Sequence, residues 1–339
     1  MLRLRLLPVS IFLLFFLFWG CNSLKNKNDQ PENEIKDSFE ALLQLAAQQP
    51  ENADIFHELA LYYLARENFN DALHNINKSL ELEPKNTKYY ITFSDIYLMM
   101  GNIEHARFTL YKALDIDEEN DEIYVNIARL QIYTEDYPQA FENLRKALEL
   151  NKNNSEAHFW RGMAWLENHD TIKAINDWQI AVSRDPEKFD YYYYLGILLS
   201  ERKDRFATDY LDHALRLSPE NTEMLYVIGM AFHEIESYNK AIETYKRILE
   251  INSCDHRALF NIGYINLVEN EYYDEAIRYF SEALNCYPEY ADALYNRGLA
   301  YEQMMNFGKA RKDYEEVLKI SINYQKAIDA LNRLDKNQQ

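Results

Sequence analysis

Two segments open with the dipeptide of a zinc-hydrolase helix. His57-Glu58 and His233-Glu234 begin like HExxH, where two imidazoles one turn apart hold the ion and the glutamate activates water. Leu61 and Ser237 stand where the second histidine must be, so neither segment completes the ligand set. The eight histidines are scattered along the chain, and His57, with no nucleophile paired to it, is expected as a groove contact or surface residue rather than a base. No GxGxxG or GxxxxGK[ST] loop is present, and Gly101 and Gly308 fall at expected inter-helix turns. The acid pairs Glu118-Glu119 and Glu315-Glu316 read as solvated charge. The chain is therefore expected not to be an enzyme and to need no cofactor or metal.

Three cysteines remain as chemical candidates. Cys254 and Cys286 lie near the ends of second helices in adjacent copies of a repeat set out below, in a register that differs by three residues, so the sequence leaves a disulfide between them open. Cys21 stands apart. Arg3 and Arg5 precede an apolar run, Leu6–Trp19, broken only by Pro8 and Ser10 and followed directly by Gly20-Cys21. A basic start, a short apolar core and a small residue before a cut form a secretory signal, here 1–20. The run is shorter than the roughly 20 residues that span a bilayer. An uncleaved signal anchor is the competing reading.

The remaining candidates are aromatic rings and side-chain amides, and their spacing shows what must position them. A 34-residue pattern recurs eight times between Ala53 and Tyr324: 53–86, 87–120, 121–154, 155–188, 189–221, 222–255, 256–290 and 291–324. The fifth copy is one residue short and the seventh one residue long, each at a turn. Counting from the start of each copy, position 8 is small (Ala60, Ser94, Ala128, Gly162, Gly196, Gly229, Gly263, Gly298) and position 20 is always alanine. Position 24 is large (Ile76, Leu110, Leu144, Trp178, Leu211, Tyr245, Phe280, Tyr314), and position 4 is mostly aromatic or leucine. Prolines at position 32 stop the second of two helices whose turn falls near positions 15–17. A fixed period of this length means a stacked array of helix pairs. His158 at position 4 and Arg161 and Arg297 at position 7 depart from the apolar pattern, which leaves the packing of the fourth and eighth copies open.

These marks resemble the tetratricopeptide repeat (TPR) family over about four fifths of the chain. The resemblance implies an all-α fold, a right-handed α-solenoid of about eight TPR helix pairs with N- and C-terminal capping helices. Residues 37–52 read as an N-terminal half repeat and 325–339 as a closing helix and tail, with Ala327, Ile328 and Leu331 facing the last repeat. Residues 21–36 read as a flexible tether. Phe18-Trp19-Gly20-Cys21 is similar to the lipobox of bacterial lipoproteins, which implies acyl chains on Cys21 and a place in the bacterial cell envelope. Asn22, not Asp, follows the cysteine, which resembles an outer-membrane sorting pattern. The periplasmic face is the first expectation and the cell surface the second.

In this family first helices line a concave groove, with positions 2, 5, 6, 9, 12 and 13 directed into it. The expected partner-binding groove residues are Phe159, Tyr193, Tyr226, Phe260 and Tyr295 at position 5, Trp160 and Tyr194 at position 6, and Asn126, Asn261 and Asn296 also at position 6. Aromatic rings offer contact area at low entropy cost, and amides can pair with an extended backbone. The competing reading packs the same rings against neighbouring helices. The lysine–asparagine carboxylate clamp of chaperone-binding members is absent; His57 and Asp95 occupy the nearest equivalents.

Charge limits the partners. The chain carries −19, and cleavage after Gly20 would remove Arg3 and Arg5 but no acid, giving −21. Nucleic-acid binding is not expected of so acidic a chain, nor is a small-molecule substrate. The expected function is a non-enzymatic protein–protein interaction scaffold holding a protein or peptide in the groove of a secretion, motility, pilus or wall-assembly machine. The alternative is an accessory component binding glycan or peptidoglycan through Tyr and Trp.

Overall fold

The computed structural model describes residues 32–217 and 220–336, with side chains from residue 39 onward. The apolar run, the Gly20-Cys21 junction and residues 22–31 of the expected tether lie outside the described residues. Among the described residues there are 18 α-helices and no strand. Helix α1 (Glu32–Gln48) leads into α2 (Ala53–Leu64) and α3 (Phe69–Leu82), α4 (Thr87–Met99) and α5 (Ile103–Ile116), and α6 (Asp121–Tyr133) and α7 (Tyr137–Leu150). Next come α8 (Ser155–Glu167) and α9 (Thr171–Arg184), α10 (Phe189–Glu201) and α11 (Ala207–Leu217), and α12 (Thr222–Glu234) and α13 (Tyr238–Ile251). The last are α14 (His256–Val268) and α15 (Tyr273–Cys286), α16 (Ala291–Gln303) and α17 (Phe307–Ile320), and the closing α18 (Gln325–Lys336). The chain divides into two compact units, with the boundary between Tyr191 and Tyr192.

The helix starts follow from short polar side chains at fixed repeat positions. At position 34, Asn52, Asn86, Asn120, Asn154, Asn221 and Asp255 accept hydrogen bonds from amides of the following first turn. At position 16, Asn68, Asn102, Asp136, Asp170 and Asn306 do the same for second helices. Each cap satisfies a donor that no intrahelical carbonyl can reach. The turn between paired helices is closed by one residue in the left-handed region in every repeat. Only the second repeat uses glycine there, Gly101 at φ 74°; Glu67, Glu135, His169, Lys203, Glu236, Glu271 and Met305 lie at φ 54–62°. Gly308 sits inside α17, not in the turn before it.

Within each pair the helices meet where position 8 faces position 24. A methyl group added at Gly162 would lie 2.4 Å from the Trp178 ring nitrogen, at Gly229 2.6 Å from Tyr245, at Gly263 2.9 Å from Phe280 and at Gly298 2.6 Å from Tyr314. Trp178, Tyr245, Phe280 and Tyr314 are fully buried as a result, each contributing on the order of 1.5–3 kcal/mol of hydrophobic stabilisation. Two further core rows escaped the pattern reading. Position 3 is buried in all eight repeats, from Ile55 and Tyr89 to Ala258 and Ala293. So is the small or branched residue three places after position 24 (Ser79, Ala113, Ala147, Ala181, Ala214, Ile248, Ala283, Val317).

Three expectations are corrected. The leading helix begins at Glu32, so residues 32–36 are helical rather than tether; acidic positions in a first turn suit the helix dipole. The closing helix buries Ala327, Ala330 and Leu334, while Ile328 and Leu331 are only half-buried beside that stripe. His57 is neither a surface nor a groove residue: it is 1% exposed, with Nε2 2.8 Å from Thr92 Oγ1.

The polar departures of the fourth and eighth repeats resolve in one way. Arg161 donates from Nε and Nη2 to Asp177 (2.8 and 2.6 Å), and Arg297 makes the same fork with Asp313 (2.8 and 2.8 Å). Both acids sit at position 23 of the same repeat, and both are buried. His158 Nδ1 lies 3.0 Å from Asp177 as well. Burial opposes ionisation of Asp177, but hydrogen bonds from Arg161 and His158 outweigh it and hold the carboxyl below its usual range.

Arg161→Met should cost about 3–5 kcal/mol, because it leaves Asp177 buried and unpaired. Arg161→Met combined with Asp177→Leu should recover most of that loss, as read by urea denaturation. A second expectation concerns His57, whose pKa is lowered from 6.5 to about 4, first by burial and then by Lys88, against the opposing pull of Asp54. A depressed histidine favours the unfolded chain when protonated. Stability should therefore be full above pH 6.5 and fall as pH drops towards 4, by up to about 3 kcal/mol from this group. His57→Gln should flatten that window in thermal melts run across pH.

Candidate functional site

The expected groove residues do not share one environment. In the unit ending at Tyr191, Phe159 and Trp160 are 4% and 5% exposed. Phe159 packs on Tyr191 (ring centroids 5.0 Å), and its carbonyl accepts from Trp178 Nε1 at 3.0 Å. Trp160 meets Tyr133 edge to face at 5.7 Å and donates to Glu156 at 3.3 Å. Asn126 is buried and donates to the Glu122 carbonyl one turn back, at 2.8 Å. Tyr193 and Tyr194, at the start of the second unit, are also buried and meet edge to face at 5.2 Å. The expectation that these five side chains form an exposed stripe is corrected. Phe159 reaches a ring on the following first helix and Trp160 one on the preceding first helix, so packing takes both.

What the first-helix face of the N-terminal unit presents instead is charge. Asp95 and Arg129, both at position 9, form an ion pair between adjacent repeats. Burial pushes Asp95 up despite Arg129, with Glu156 adding to the rise. Asp190 is pushed up to about 6, first by burial and then by Glu156, with Lys188 opposing. Glu122 is raised by burial and by Glu156 and Asp121. The signal was present in the sequence: position 2 is acidic in Asp54, Glu122, Glu156, Asp190, Glu223 and Asp292. The row lies at a different repeat position from the rings at 5 and 6, so the ring pattern does not reveal it.

In the second unit, three expected rings remain half-buried and reachable: Tyr226, Phe260 and Tyr295. Asn261 is half-buried too, and its Nδ2 donates to the Tyr226 hydroxyl at 3.1 Å. That bond leaves the phenol its own hydrogen to donate. Arg257, one turn before Asn261, lies over the Tyr226 ring at 4.9 Å and forks onto Glu223 at 3.1 and 2.6 Å. Phe260 packs against Tyr290 at 5.1 Å and stacks on Tyr264 at 6.2 Å. Tyr295 sits 5.5 Å from Tyr324, with Lys326 5.9 Å above it. Asn296, by contrast, turns back to its own helix and donates to the Asp292 carbonyl at 2.7 Å.

Cys254 and Cys286 are joined as a disulfide, with Cα atoms 5.5 Å apart. The turn after α13 lies over the end of α15, so the register difference does not separate them. Among the described residues, no three His, Cys, Asp or Glu side chains gather closely enough to hold a metal ion. No described helix is long and apolar enough to cross a membrane.

Models of the tetratricopeptide repeat match residues 87–120, 125–178, 222–253, 256–290 and 291–321. The C-terminal part of a TPR repeat-containing protein from Cytophaga hutchinsonii is similar in structure, with a TM-score of 0.59 and 19% identity over 71% of this chain and 99% of that one. At that identity the likeness concerns the fold. By sequence, the chain is 27% identical over 128 residues to the uncharacterized protein ycf37 of Guillardia theta, covering 37% of this chain and 72% of that protein. It is 30% identical over 110 residues to the BBSome complex member BBS4 homolog of Drosophila melanogaster, covering 31% of this chain and only 22% of that one. With matched segments over more than half of its length and eight helix pairs that repeat one core, the chain belongs to the tetratricopeptide repeat family, an all-α repeat solenoid suited to protein–protein interaction.

Proposed function

We propose that this chain is a non-enzymatic adaptor, held by lipid on Cys21 at the periplasmic face of a bacterial outer membrane, that captures an extended protein segment on the first-helix face of its C-terminal repeats. The observation that carries the reading is the half-buried row Tyr226, Phe260 and Tyr295 with the Asn261–Tyr226 hydrogen bond. Rings that are only partly covered offer a partner apolar area at little entropy cost, while the amide and phenol can meet one peptide unit. The rings Phe159, Trp160, Tyr193 and Tyr194 are buried and are not part of this surface.

Two observations support the envelope. A short apolar run ends in Gly20-Cys21. The Cys254–Cys286 bond suits a compartment that keeps thiols oxidised. An assembly of the secretion, motility, pilus or wall-building kind is the setting that fits a tethered adaptor.

Cells expressing Cys21→Ser should lose most of the protein from the carbonate-washed membrane pellet. Equal retention with an uncut N-terminus would replace the lipid with a signal anchor. For the face itself, Tyr226→Ala, Phe260→Ala and Tyr295→Ala together should abolish crosslinking to an envelope protein, with central rings each worth about 1–3 kcal/mol, while far-UV dichroism stays helical. The control is Phe108→Ala with Ile172→Ala, exposed apolar side chains on second helices (60% and 66%), which should leave capture intact. Loss in the control alone would move the recognition surface to the second helices.

A further inference from the structure

In a repeat array each unit touches only its neighbours, so contact between adjacent repeats can open locally without unfolding the rest. The sixth and seventh repeats differ from that rule, because Cys254 and Cys286 join them covalently. Both cysteines lead directly to the half-buried face. Asp255, next to Cys254, caps α14 by accepting from the Arg257 and Ala258 amides at 3.0 Å each. Its carboxylate also accepts from the Arg257 side chain at 3.1 Å. Arg257 in turn holds Glu223 and covers the Tyr226 ring. On the other side, Tyr287 follows Cys286, and its ring lies 5.9 Å from Tyr290, which packs on Phe260. His256 sits between these two tyrosines, 5.1 and 5.4 Å from them. The bond therefore ties together the bases of the two side-chain relays that set Tyr226 and Phe260.

We propose that the Cys254–Cys286 disulfide is a positioning device that presets the Tyr226–Phe260 face, so that capture is weak in the reduced chain and strong once the bond has formed. This rests on the reading of that face as the binding surface. The bond forms by thiol–disulfide exchange with a disulfide-bearing oxidant of the exporting compartment. The two cysteine thiols lose their protons and two electrons, and the oxidant leaves as its dithiol. A crosslink at a sequence separation of 32 restricts the open ensemble enough to make the locally open state roughly 30- to 1,000-fold rarer.

The test uses the full lipidated chain isolated without reductant. Alkylation and mass analysis should find neither Cys254 nor Cys286 modified. Hydrogen exchange is then compared between this chain, the same chain treated with dithiothreitol, and the variant Cys254→Ala/Cys286→Ala. Amides of 255–264 and 287–290 should exchange at least tenfold faster in the last two, with 121–184 unchanged. Crosslinking in the envelope should fall at least fivefold in the double variant. Free thiols at both positions in the native chain, or exchange unaffected by reduction, would overturn the positioning role. If exchange responds but crosslinking of the oxidised chain is insensitive to Tyr226→Ala/Phe260→Ala, the binding reading fails, and the functional role of the bond fails with it.

Discussion

The contact between a small residue at position 8 and a large one at position 24 sets the distance at which every helix pair closes. Where position 8 is alanine or serine, the partner is Ile76, Leu110 or Leu144. From the fourth repeat on, position 8 is glycine, and four of the five partners become Trp178, Tyr245, Phe280 and Tyr314. The exchange conserves volume across the seam: what one helix gives up in side chain, the other fills with a ring. Close-packed interiors tolerate little deviation from that sum. The remaining rows, position 3 and the residue three places after position 24, are buried because this seam brings them together.

The same seam explains how charge enters the interior. An arginine at position 7 would be an isolated cation in the core. In each of the two repeats that carry one, an aspartate stands at position 23, and the pair closes as a fork. The other repeats have Leu, Phe or Ile at position 7 and none has an aspartate at position 23. The substitution is therefore a coupled one, neutral in charge and confined to a single repeat. It was legible in the chain, since the two aspartates recur at the same offset from the two arginines, 16 residues on.

The candidate face shows the reverse case. Position 5 predicts which side of a first helix a ring occupies, and the three rings at Tyr226, Phe260 and Tyr295 remain partly open there. Position does not say whether a neighbouring helix supplies a partner. Phe159 finds Tyr191 and Trp160 finds Tyr133, so packing buries them. Asn126 and Asn296 likewise satisfy a donor on their own helix carbonyls, while Asn261 turns to the Tyr226 hydroxyl. An amide chooses between such partners by distances that spacing alone does not encode.

Period, helix limits and fold class were determined by the sequence itself. Caps at positions 16 and 34, the small residues at 8 and 20 and the large residue at 24 are local requirements, each satisfied within one helix pair or by the residue directly before it. Tertiary structure decided what depends on two repeats at once. It joined Cys254 to Cys286 across a register difference of three. It buried His57 against Thr92 of the next repeat. It also sorted ten expected groove residues into six that are buried and four that are half-buried, Tyr226, Phe260, Asn261 and Tyr295. The physical reason is that burial is a property of neighbours. A 34-residue pattern specifies each helix pair, whereas the side chains that the adjoining pair presents differ from repeat to repeat.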